Sequence, residues 1–134
     1  MIDIEQDIYS LISTALRNEF PKIAVAGEYV KAPSQFPFVS IEEADNQVYE
    51  RTRDSGSNEN HVIVLYEVNV FSNLTKGKKS QCKEIINLVD KQFISMGFSR
   101  ILKKPIPNEE DATIYRMVAR YKAVISQDKH IYWR

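Results

Sequence analysis

The sequence predicts an α+β fold: a mainly antiparallel sheet with two helices packed on one side, in the order α-β-β-β-α-β-β. Three observations carry this. Two segments repeat apolar residues at helical spacing. Five others are short, rich in Val, Ile, Phe and Tyr, and alternate apolar with polar over much of their length. The strands follow one another across short turns, which favours antiparallel neighbours and leaves both helices for the same side. At 134 residues the chain fits one domain.

The first helix is expected over 3–20. Ile4, Ile8, Leu11, Ile12, Ala15 and Leu16 form its apolar stripe. Asp3 is placed to cap it, with Gln6 reaching back. Pro21 stops it, because the residue before a proline avoids helical geometry. Strands are expected over 23–30 and 36–46, parted by the turn-forming run Lys31-Ala32-Pro33-Ser34-Gln35. Residues 47–60 are polar, with a turn signal at Asp54-Ser55-Gly56-Ser57-Asn58, and read as a long loop or the outer half of a long hairpin.

The strand over 62–72 is apolar on both faces near its start and belongs in the middle of the sheet. The second helix spans 76–96, with Cys82, Ile85, Ile86, Val89, Phe93 and Met96 as its stripe. Gly97 supplies a left-handed closing residue that brings Phe98 to Phe93. In the strand over 98–106, Pro105 and the following Pro107 mean that its end lies on an edge or leaves the sheet.

The last long strand, 113–126, carries the strongest pattern. Tyr115, Met117, Ala119, Tyr121, Ala123 and Ile125 fall on one face. Arg116, Arg120 and Lys122 fall on the other, among Ile114, Val118 and Val124. That second face reads as an ordinary solvent face, or as a basic surface for nucleic acid or an acidic neighbour. No aromatic stacking platform accompanies the cations. The domain thus covers 1–126, and 127–134 is a C-terminal arm.

Composition narrows the function classes. Lys plus Arg and Asp plus Glu each number 18, which argues against a free-standing nucleic-acid binder. A single cysteine, Cys82, forms no intrachain disulfide. The opening residues lack the basic and apolar blocks of a secretory signal, and no apolar run is long enough for a membrane helix.

Catalytic chemistry finds little footing. Cys82 lies on an apolar helical stripe, far in sequence from His61 and His130, so a core thiol is expected. Lys76-Gly77-Lys78-Lys79-Ser80 sits where a phosphate loop belongs. Its first glycine position is Ser72, however, and Lys79 stands where the magnesium-binding hydroxyl would be. Glu109, Glu110 and Asp111 read as a solvated turn, and Glu43 and Asp45 as a pair that can share a strand face. The expectation is no enzyme, no cofactor, no metal site and no catalytic residue.

The phrases in these elements resemble a known family. They are Phe36-Pro37-Phe38-Val39-Ser40-Ile41-Glu42; the strand from Val62 to Ser72 before the second helix; Met96-Gly97-Phe98-Ser99-Arg100; Pro107-Asn108 and the acidic turn; and Thr113-Ile114-Tyr115-Arg116-Met117-Val118-Ala119-Arg120-Tyr121. Together they resemble the tail terminator proteins (tail completion, or tail-to-head joining) of long-tailed bacteriophages.

The resemblance implies an α+β subunit of a hexameric ring that caps the tail tube, ends its polymerisation and docks on the head connector, with DNA passing through the lumen. It further implies a structural virion protein at the head-proximal end of the tail, made in the bacterial host cytoplasm. Its partners would be itself, the tail tube protein and the head connector protein, with DNA only in passage and no membrane. Within that frame Arg116, Arg120 and Lys122 are candidate lumen residues. Tyr49, Arg51, Arg53, Asp54, Ser55 and Gly56 are candidates for a contact loop, and Tyr132 and Trp133 for contacts of the arm. The competing readings are another head–tail connector component, a stopper or adaptor, and a small nucleic-acid-binding protein.

Overall fold

The computed structural model describes residues 1–48, 61–107, 111–126 and 131–132. The elements run α1 (Glu5–Glu19), β1 (Ala24–Ala26), β2 (Phe38–Val48), β3 (His61–Ser72), α2 (Lys78–Ser95), β4 (Ser99–Ile106), β5 (Tyr115–Ser126) and β6 (Ile131–Tyr132). The expected class and order hold, with β6 added at the end. Sheet order is β1-β2-β3-β5-β4, and β6 pairs with β5 beyond the end of β4. As expected, β3 is central. It makes a continuous antiparallel ladder with β5 from His61↔Ser126 to Ser72↔Tyr115.

β1 departs from expectation. It is three residues long and pairs in parallel with β2, from Ala24↔Phe38 to Ala26↔Ser40. A parallel partner must return to the same end of the sheet. Residues 27–37 make that return as an irregular segment, and they carry Tyr29 over the sheet instead of extending the strand.

β2 and β3 form a long antiparallel hairpin whose connection, 49–60, lies outside the described residues. Ala44 is an extra residue in β2, between the pairs Glu43↔Tyr66 and Asp45↔Leu65. This bulge puts Glu43 and Asp45 on opposite faces, so they do not share one as the plain alternation predicts.

α1 begins later than expected. Asp3 lies just outside it and accepts the Glu5 N–H at 3.0 Å, while Gln6 donates to Ser10. Ile4 occupies the cap position, drawn into the core at 4 % exposure. Ile8, Ile12 and Leu16 are buried with it, but Leu11 is 45 % exposed. Successive residues turn by roughly 100°, so a stripe centred on positions four apart leaves Leu11 at its rim.

α2 closes as expected. Gly97 has φ of 98°, the Phe98 N–H donates to the Phe93 carbonyl and the Gly97 N–H to the Ile94 carbonyl, each at 3.0 Å. The Phe93 and Phe98 rings meet edge to face at 5.0 Å.

Both helices pack on one face of the sheet. Between them lie Val39, Ile41, Val64, Tyr66, Val68, Val70, Met117, Tyr121 and Ile125. Phe93 stacks on Tyr121 at 4.3 Å. Each large apolar side chain fully buried here contributes about 1.5–3 kcal/mol. Ile2, ahead of α1, belongs to the same core and is held by the Asn46 amide, which donates to its carbonyl at 2.9 Å.

Candidate functional site

The helices do not cover the other face of the sheet; the 27–37 segment lies over part of it, and the sequence-predicted basic residues stand there. Alternation on β5 sends Arg116, Val118, Arg120, Lys122 and Val124 to this face. The cross-strand register sets each against a residue of β3: Phe71 opposite Arg116, Asn69 opposite Val118, Glu67 opposite Arg120 and Leu65 opposite Lys122.

The face is basic in sequence, and in space its two arginines are tied into one hydrogen-bonded chain. Arg120 Nε and Nη2 both donate to Glu67 Oε1, at 2.9 and 2.8 Å. The second carboxylate oxygen of Glu67 accepts from the Asn69 amide at 3.1 Å. The Asn69 carbonyl oxygen in turn accepts from Arg116 Nε and Nη2 at 3.0 and 2.8 Å. The result is a continuous chain, Arg120–Glu67–Asn69–Arg116, in which Asn69 is fully buried. The Arg116 guanidinium also lies 5.0 Å from the Tyr29 ring centre and 5.6 Å from that of Phe71, a double cation–π contact.

Of the three predicted cations, Arg120 alone makes an ion pair among the described residues, while Arg116 is held by the neutral Asn69 and two rings. On the predicted basic face, Arg116 clamps the 27–37 segment to the sheet, and Arg120 balances Glu67. Sequence reasoning missed Glu67, Asn69 and Tyr29, because their contacts to β5 depend on the β3–β5 register. Beside Asn69, Ser40 is wholly buried, and its hydroxyl finds no hydrogen-bond partner among the described residues.

The remaining polar groups serve the helix-covered side. Tyr66 donates to Glu43 at 3.1 Å, and Tyr121 donates to Asp90 at 2.9 Å. Burial first, then the neighbouring carboxylate, pushes both phenols far above their ordinary value. Partial burial raises the Glu43 carboxyl, against the opposing hydrogen bonds from Tyr66 and Asn46. Burial pushes the Cys82 thiol up to about 12, and it is wholly enclosed, a core thiol as expected.

Two clefts of about 430 Å3 each indent the surface. One is lined by Asp3, Glu5, Gln6, Tyr9, Gly27 and Ile41. The other is lined by Pro105, Ile106, Pro107, Ala112, Ile114, Tyr115 and Arg116. Among the described residues no group of three or more His, Cys, Asp or Glu is arranged to hold a metal, and no helix is long and apolar enough to cross a membrane.

The candidate loop residues Tyr49, Arg51, Arg53, Asp54, Ser55 and Gly56, and the arm residue Trp133, lie outside the described residues. The backbone at Tyr132 is described: it pairs with Val124, so this part of the expected arm folds back on its own sheet.

The fold and site define an α+β protein whose distinctive surface is the sheet face opposite the helices, with its chain from Arg120 to Arg116. Compared with known proteins, the chain matches no family model and none of the curated proteins.

Proposed function

We propose that the chain is a structural virion protein of a long-tailed bacteriophage, which caps the tail tube as a homo-oligomeric ring and presents the docking surface for the head connector. The observation that carries this reading is the order of elements. The phrases that resemble the tail terminators fall at the base of the long hairpin, along β3, at the α2 exit into β4, and along β5. The face opposite the helices supports it further. A lumen wall whose two arginines already donate to Glu67 and Asn69 has fewer N–H groups to offer passing phosphates, and each contact not made removes counterion-release affinity. The same engagement of Arg116 and Arg120 counts against the nucleic-acid-binding alternative.

Incubating the purified protein with tail tubes, then using native mass spectrometry and electron microscopy, tests the proposal. The expected result is a closed ring at one tube end and arrested tube growth. A chain that stays monomeric and leaves tube length unchanged overturns it.

A further inference from the structure

The two edges of the sheet carry opposite charge. β2 contains Glu42, Glu43 and Asp45 and no cation; β4 contains Arg100, Lys103 and Lys104 and no anion. Among the described residues β1 covers β2 only from Phe38 to Ser40, beyond which the Glu5 carboxylate accepts the Glu43 N–H at 2.8 Å, and on the other edge Lys103 and Lys104 are exposed. A two-fold dimer through either edge would set like charges against each other. A head-to-tail contact sets opposite charges together.

The register makes this specific. Ile41 pairs with Val68, Val68 with Ala119, and Ala119 with Lys103, so Ile41 and Lys103 share one rung and one face at opposite edges. Ile41 lines the cleft that also holds Asp3 and Glu5. Glu42 shares the next rung with Leu102, beside Lys104. β4 runs antiparallel to β2, so a second copy placed alongside in the same orientation brings Lys103 level with that cleft. The edge is unsuited to plain strand addition: Ile101 is an extra residue there, 51 % exposed, and Pro105 lacks an N–H. The contact is therefore one of side chains.

We propose that a second copy of this chain docks its β4 edge on the α1–β2 edge, head to tail, with Lys103 entering the cleft beside Asp3 and Glu5 and Lys104 facing Glu42. This rests on the ring reading and names its subunit contact.

The test uses two full-length variants, Lys103→Glu/Lys104→Glu and Asp3→Lys/Glu42→Lys, each checked for native melting behaviour and studied by native mass spectrometry and sedimentation, with tail tubes added. The first has two acidic edges and the second two basic ones. Each alone is expected to associate roughly 100-fold more weakly than the unaltered chain, since like charges now meet. An equimolar mixture is expected to regain association as alternating copies. Variants that each assemble as well as the unaltered chain overturn the edge contact and leave the ring standing. An unaltered chain and a mixture that both stay monomeric on tubes overturn both.

Discussion

The two faces of one sheet are built from the same strands yet hold together by different means. On the helix-covered face, alternate residues of β3 and β5 close a dry core around Tyr66, Phe93, Phe98 and Tyr121. On the opposite face, the residues between them form a polar chain from Arg120 to Arg116, edged by the rings of Tyr29, Phe38 and Phe71. The first face depends on apolar area and shape, the second on partners matched across strands. A residue on the first is interchangeable with others of its size, whereas one on the second is tied to a named neighbour.

Mutations separate the two. The largest effect is expected for Phe93→Ala, which removes the ring stacked on Tyr121: a loss of about 3–5 kcal/mol, read from urea unfolding. A loss under ~1 kcal/mol would show that this core tolerates a cavity. Next come the cations, which should rank by their contacts. Arg116→Gln costs about 1–3 kcal/mol, because Asn69 is left buried without its charged donor and the aromatic clamp is lost. Arg120→Gln costs about 0.2–1 kcal/mol, as expected for a half-exposed ion pair. Lys122→Gln stays within about 0.5 kcal/mol of no change. Equal costs at the three positions would dissolve the distinction between a clamped and a solvated cation.

Ser40→Ala is expected to hold or raise stability by up to about 1 kcal/mol, because a buried hydroxyl without a partner is a liability. A clear loss would point to a partner for that oxygen. The smallest effect concerns pH. The Glu43 carboxyl is raised above its ordinary 4.5, so the native state holds the proton more tightly than the unfolded chain. Stability then falls as pH rises from 4.5 through the native value. Glu43→Gln removes this slope, so the variant should gain relative to the parent between pH 4.5 and 7 in paired urea titrations. A constant difference across that range would show that Glu43 ionises as freely in the folded chain as in the unfolded one.

Much of the frame was legible because it is written locally. The alternation of β5, the stripe of α2 and the Gly97 closure each depend on residues within one element or its exit. What escaped depends on pairing between distant segments. Arg116 and Arg120 read as a basic face because Asn69 and Glu67 lie far away in sequence, brought opposite only when β3 becomes the neighbour of β5. The parallel pairing of β1 escaped for the same reason. Ala44 gives no local signal of a bulge, so the faces of Glu43 and Asp45 were misassigned.

The extra residues Ala44 and Ile101 act as phase shifters. Each inverts the inside–outside reading of the strand beyond it, while β3 and β5 between them keep strict count. Deleting Ala44 alone would close the bulge and keep every pair beyond it, Asp45 with Leu65, Asn46 with Val64 and Val48 with Val62, so the Asn46 amide would stay on the side of the Ile2 carbonyl it now holds. Removing one small, exposed side chain would thus leave the hairpin's faces as they are, whereas an insertion or deletion elsewhere in β2 would move the later residues to new partners and new faces.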